Sequence, residues 1–254
     1  METFTQVQLE VNLLVLVALA GVGWKHQAWR AAVLKRVPGL GWVALGCGLV
    51  PVGLYVGSLQ IPAWTPWFAE HGWLEWSTPI LAALAGVFFI HAARRRWGGP
   101  RPDRAGAMAH AGLAAGAFLL AMEEINWGQV IFGWPTSEIF FSGNLQDATN
   151  LHNFFNPAFP VLYDLAGWAL GGAMYLSIRR PIPTVRRGAA VLLPPPALAG
   201  LVLLAFLFRF SHEVFEQLLA WLLVFHAGID SGKVGCDSAG QSRPQMVTGG
   251  RPVV

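Results

Sequence analysis

Apolar runs of membrane-crossing length alternate with short polar segments along most of this chain. Residues 7–24, 39–57, 77–93, 105–122, 157–178 and 190–208 are each mostly apolar, and a membrane-spanning helix needs about 17 to 25 such residues. The last apolar block, 201–227, contains no Gly or Pro but is interrupted by Arg209, His212, Glu213 and Glu216. As one helix it would be about 40 Å long, against a hydrocarbon core of about 30 Å. A tight turn between Arg209 and His212 is therefore expected to divide it. The pattern predicts an all-α, polytopic transmembrane helix bundle of about seven spans, or six if 201–227 stays whole. Residues 1–228 form one bundle in this reading, and 229–254, rich in Gly, Ser and Pro, form a disordered tail. Gly53-x-x-x-Gly57 and Gly112-x-x-x-Gly116 are expected to let helices approach closely. Pro194, Pro195 and Pro196 fit only a first helical turn.

Composition agrees with the pattern. Of 254 residues, 54% are hydrophobic and 12% charged, and mean hydropathy is +0.48; a soluble domain carries about 25% charged residues. The partner this implies is the lipid bilayer. Nucleic acid is not expected despite a net charge of +3, because the basic residues sit in short loops between apolar runs instead of on one amphipathic face. Cys47 lies in an apolar run and Cys236 in a polar one, so no disulfide is expected. No basic n-region precedes the first apolar run, and Glu2 and Glu10 stand there instead, which argues against a cleaved signal peptide.

Thirteen of the seventeen Lys and Arg residues fall in three loops, 25–36, 94–104 and 179–187. The positive-inside rule places these loops in the cytoplasm of a cell with an inner membrane. The N-terminus, the Trp-rich loop 58–76, the polar segment 123–156 and the 209–213 turn then share the extracytoplasmic face. Trp64, Trp67, Trp73, Trp76, Trp127 and Trp134 suit an aromatic belt at that interface.

Polar groups converge on this face by topology alone. Glu70, His71 and Glu75 precede the third span, Glu123 and Glu124 end the fourth, Asp164 lies in the fifth, and His212, Glu213 and Glu216 open the last helix. Carboxylates at membrane depth are expensive and usually face a cavity or a partner. Glu123 and Glu124 also sit at a helix C-terminus, where the macrodipole disfavours negative charge. They are the candidate acid/base residues, and two acids ending a span at headgroup level are the bland alternative. Adjacent positions point about 100° apart on a helix, so one of the two would face a site. Gln146, Asn150 and Asn153 make one polar stripe on a helix, with His152 beside it. They join Asn126, Trp127 and Gln129 as candidate substrate-binding groups, and His152 is a candidate second proton carrier. The same amides could equally tie down a re-entrant loop. His110 suits a core hydrogen bond, and His91 and His226 suit cytoplasmic helix ends. No HxxxH, HExxH or CxxC pattern is present, so no metal site is expected, and no motif names a cofactor.

The blocks EEINWGQ and NLQDATNLHN resemble a family of uncharacterised bacterial polytopic membrane proteins. That family's pattern runs Glu-Glu-Ile-Ser/Asn-Trp-Gly-Gln-Arg-Ile-Phe-Gly, then Asn-Leu-Gln-Gly-Glu-Thr-Asn-Leu-His-Asn. The resemblance covers Glu123 to Asn153 and implies an inner-membrane protein without implying an activity. Glu123, Glu124, Asn126, Trp127, Gly128, Gln129, Asn144, Leu145, Gln146, Thr149, Asn150, His152 and Asn153 match. Val130 stands where the pattern has Arg, and Ala148 where it has Glu, with Asp147 one position early. An Arg–Glu ion pair lost from both sides would explain the double departure, since a buried charge left alone costs about 3 to 5 kcal/mol.

Three function classes remain open on these grounds. A membrane enzyme would act on a lipid-linked or amphiphilic substrate through Glu123 or Glu124 and His152. An ion-coupled or small-solute transporter would use deep carboxylates such as Asp164 and Glu216. A scaffold would offer the polar loop to a protein.

Overall fold

The computed structural model describes residues 39–61, 63, 72–99, 102–136, 149, 158–179 and 190–240. The expected first span and loop 25–36 lie outside the described residues, as do Glu70, His71 and most of 137–157. Every described element is helical. Seven α-helices follow in order: α1 (Gly39–Ser58), α2 (Trp73–Gly98), α3 (Arg104–Glu124), the single turn α4 (Gln129–Phe132), α5 (Phe159–Arg179), α6 (Ala199–Leu207) and α7 (His212–Gly240).

Four of these helices, spanning Gly39–Ser58, Leu74–Gly98, Arg104–Glu124 and Val161–Ile178, are long and apolar enough to cross a membrane. A helix satisfies its own backbone hydrogen bonds, which is why apolar runs of this length fold this way in lipid. The outward surface agrees. Val161, Leu165, Trp168 and Tyr175 of α5 and Trp42, Val43 and Val50 of α1 are exposed, a display that a soluble monomer avoids.

α2 and α3 form a tight hairpin. The Asp103 carboxylate caps α3 by accepting from Gly106 N at 3.0 Å. Its other oxygen accepts from Arg96 Nη1 at 2.8 Å, which ties the end of α2 to the start of α3. The later half of α7 packs on this hairpin around Ala85, Phe89, Ala114, Ala117 and Ala227. A second core joins α1, α5, α6 and the start of α7 through Leu198, Leu201, Leu207, Val214, Phe215 and Leu218.

The block 201–227 is divided as expected. A turn at 208–211 separates α6 from α7, with Ser211 N donating to Phe208 O at 3.0 Å and Phe215 N to Ser211 O at 2.9 Å. Three expectations need correction. The run 190–208 does not make one span: the chain leaves helix after Val191, takes a 3-10 turn at Pro196–Leu198, and only then enters α6. The three prolines supply no backbone N–H and disfavour helix in the residue before each, so the helix starts at the third. α6 has nine residues and is about 14 Å long, half of a membrane span. The tail does not begin at Ile229, since α7 continues to Gly240. The third correction concerns the Gly pairs. Among the described residues, a Cβ at Gly53, Gly112 or Gly116 would meet nothing within 4 Å, so these three positions make no close contact there. Close contacts occur at Gly48, where a Cβ would lie 2.5 Å from Leu201 Cδ1, at Gly86, 2.8 Å from the Phe118 ring, and at Gly167, 2.6 Å from Arg209 Cδ.

Candidate functional site

The end of α3 carries both candidate acids, and the chain separates them. Glu123 Oε1 accepts from Trp127 Nε1 at 2.6 Å. Glu124 lies against Glu216 of α7. A carboxylate only accepts, so two carboxyl groups bond directly only when one of them carries a proton. Tyr163 of α5 donates its hydroxyl to Glu216 Oε1. The Tyr163 ring stacks on His212 with centroids 4.6 Å apart and meets Phe215 edge-on at 5.4 Å. Three helices thus contribute to one chain of donors and acceptors: the Tyr163 hydroxyl, then Glu216, then Glu124.

Glu124 also borders a small cleft, lined by Glu75, Trp76, Pro79, Ile125 and Val130 as well. Its walls are largely apolar, and its two carboxyl groups come from α2 and α3. Below it, Gln217 Oε1 accepts from Ser77 Oγ at 3.0 Å and from Thr78 Oγ1 at 2.6 Å, which joins α7 to α2. On the far side of α5, Arg209 Nε lies 2.7 Å from Asp164 Oδ1. Its guanidinium also donates to Phe206 O at 2.7 Å and covers the Phe206 ring. Asp164, expected to be among the deepest carboxylates, is half exposed and held by this arginine; Glu216 is the one that faces the interior.

A sharp reversal after α3 shapes the cleft. Asn126, Trp127 and Gly128 have φ of 49°, 55° and 93°. Positive φ is unfavourable for a residue as large as Trp, and strain of this kind collects at ligand clamps and active sites. The indole bond to Glu123 holds Trp127 in place, and Gly128 N closes the turn on Ile125 O at 2.9 Å. The chain then enters α4, where Gln129 is engaged at both ends of its amide. Nε2 donates to Thr136 Oγ1 at 2.8 Å, and Oε1 accepts from Thr149 N at 2.7 Å. Gln129 thereby ties the first motif block to the second.

Of the residues singled out from the sequence, Glu124 reaches the cleft, while Glu123 and Trp127 brace each other beside it. Asn126 lies in the reversal. His152, Gln146, Asn150 and Asn153 lie outside the described residues. Tyr163, Ser77, Thr78 and Gln217 were not singled out. Tyr163 and Gln217 carry weak local signals, a polar tip in an apolar span and an amide four positions after Glu213; neither signal names a partner. Among the described residues no group of three or more His, Cys, Asp or Glu side chains is arranged to hold a metal ion. Comparison with protein-family models, curated proteins and solved structures finds no match.

Proposed function

We propose that this chain is a membrane-embedded acid–base enzyme acting on an amphiphilic or lipid-linked molecule at the cleft beside Glu124. The observation that carries this reading is the meeting of the Glu124 and Glu216 carboxyl groups at the edge of a cleft with apolar walls. A pair of carboxyl groups with one proton offers an acid and a base together, which is what bond cleavage by water or proton transfer to a leaving group requires. Tyr163 positions Glu216 and stabilises its charge when the proton leaves. The cleft has a volume of about 10 Å³, room for about one water, and Trp76 and Val130 give its rim an apolar surface against which a substrate chain would lie. Glu123 and Gln129 act as positioning residues, the first through Trp127 and the second by closing the loop. The charge pattern supports an extracytoplasmic placement of this end in an inner membrane, and the resemblance over Glu123–Asn153 supports the same compartment.

The test compares lipid extracts. Cells producing the wild-type chain, Glu124→Gln or Glu216→Gln at matched membrane levels are extracted, and the extracts are profiled by mass spectrometry. The expected result is an amphiphilic species depleted by the wild type and retained with both variants. Identical profiles in all three would overturn the reading.

A further inference from the structure

The end of the α2–α3 hairpin opposite the cleft gathers arginines around one exposed tryptophan. Arg94 and Trp97 lie three positions apart on α2, and such positions are neighbours on a helix surface. Arg104, the first residue of α3, brings its guanidinium Cζ to 5.9 Å from the centre of the Trp97 ring. Arg94 and Arg104 thus flank one indole, which is 56% exposed. Both arginines are exposed as well. The one acid in the stretch 88–110 is Asp103, and its two oxygens already accept from Arg96 Nη1 and Gly106 N. Among the described residues Arg94 and Arg104 have no acidic partner.

The surface leading away from this corner is apolar. On α2, Ile80, Leu84, Val87, His91 and Arg94 follow at steps of three or four residues, so they share a face. Ile80, Leu84 and Val87 are exposed, and polar groups begin only at His91. On α3, Met108 lies one turn in from Arg104 and is 64% exposed. Both helices are long and apolar enough to cross a membrane, so in a bilayer the two arginines and the indole stand where hydrocarbon meets water. Tryptophan favours that level, and arginine keeps its charged head there while its stem lies on apolar surface. A soluble polyanion would need the charge alone. Here the charge sits directly above an exposed apolar face, which suits a molecule with an anionic head and a hydrocarbon tail.

We propose that Arg94, Trp97 and Arg104 form a binding site for an anionic phospholipid of the bilayer. The headgroup phosphate sits between the two guanidinium groups, and an acyl chain lies along the Ile80–Leu84–Val87 face of α2. Guanidinium presents paired N–H donors that match phosphate oxygens, and basic groups beside membrane helices recognise anionic headgroups. The Trp97 ring holds Arg104 by its π face and leaves the N–H edge of the guanidinium for the lipid. Arg96 does not take part, since Asp103 holds it. Arg95 is exposed but stands about 160° around α2 from Trp97, on the other side of the helix. The site is separate from the cleft: nineteen positions divide Glu75 from Arg94, about 28 Å along α2.

The full chain, stripped of lipid in a nonionic detergent, is titrated with phosphatidylglycerol or with phosphatidylcholine of the same acyl chains, and bound lipid is counted by native mass spectrometry. One arginine beside an anionic headgroup contributes about fivefold in affinity, so the pair should give the wild type a preference for phosphatidylglycerol of roughly thirtyfold. Arg94→Gln and Arg104→Gln should each lower that preference about fivefold, and the double variant should abolish it. Arg95→Gln removes the same charge from the other side of α2 and should leave the preference intact. If the double variant does not fold, the single variants, each altering one exposed side chain, decide in its place. Equal binding of the two lipids by the wild type overturns the proposal. So does a preference that survives in both single variants, or one that Arg95→Gln lowers as much as Arg104→Gln does. Displacement of phosphatidylglycerol by inorganic phosphate would show an anion site with no place for the chain, and overturns it too. None of these substitutions touches the cleft, so the lipid profile that tests the proposed enzyme stays that of the wild type, and the two readings fail separately.

Discussion

Glu124 of α3 meets Glu216 of α7, although ninety-two positions separate them in the chain. The two carboxyl groups bond directly only while a proton lies between them. Gln at position 124 supplies its own N–H donor to the Glu216 carboxylate and removes that requirement. Glu124→Gln is therefore expected to unfold at the same temperature as the wild type or a few degrees above it, while losing activity. Glu124→Ala, which leaves Glu216 with one partner fewer, should lose roughly 1–3 kcal/mol. Thermal unfolding in detergent distinguishes these outcomes, and a large loss in Glu124→Gln would contradict the shared proton.

Gly128 and Gly133 both have positive φ, 93° and 67°, but only Gly128 is crowded. A Cβ there would lie 3.0 Å from the Trp134 ring, whereas at Gly133 it would meet nothing within 4 Å. Gly133→Ala should carry the backbone penalty alone, about 1–2 kcal/mol. Gly128→Ala adds displacement of Trp134 and should be the more damaging. Equal melting temperatures for the two variants would mean that the Trp134 contact is unimportant.

Gln129 holds Thr136 and Thr149 at once. Gln129→Leu keeps the volume and removes both bonds, leaving the Thr149 amide without this acceptor. The expected loss is roughly 1–3 kcal/mol, together with faster proteolytic cleavage between positions 136 and 149. A cleavage rate unchanged from the wild type would argue against the tie.

Val130 occupies the position where the resembled pattern has Arg, and it lines the cleft with Glu75 and Glu124. An arginine there would meet carboxyl groups on two helices and would not depend on position 148 for a partner. Val130→Arg alone is therefore expected to keep or raise stability, by up to about 1 kcal/mol, while closing the cleft to an acyl chain. A marked loss of stability in the single variant, recovered by Ala148→Glu, would restore the pairing across the loop suggested by the sequence.

Gly86 and Gly112 form a matched pair in the same hairpin. Gly86→Ala pushes a Cβ into the Phe118 ring, and overpacking of this kind typically costs about 1–3 kcal/mol. Gly112→Ala meets open space and should be neutral or stabilising by up to about 1 kcal/mol through helix propensity. Melting temperatures in detergent read both.

Local pattern was enough for much of the architecture. The apolar runs behind α1, α2, α3 and α5 were legible because a helix in lipid closes its hydrogen bonds within the run itself. The turn at 208–211 was legible from length alone, since one helix over 201–227 would overshoot the membrane. Glu124 was legible as an acid placed against the helix dipole.

Partners and faces were not legible. Which of Glu123 and Glu124 faces the cleft, and that Tyr163 closes on Glu216, both depend on lateral packing. The same holds for the idle Gly53 and Gly112 faces and for α6, halved once Pro194–Pro196 delayed its start. Helices in lipid associate through steric fit between surfaces of nearly uniform apolarity, and one chain's residue pattern does not state which surfaces fit. The residue pattern was enough to say that these helices form and where most of them end. Which polar groups meet was settled by packing, because that depends on distances between residues that no local spacing sets.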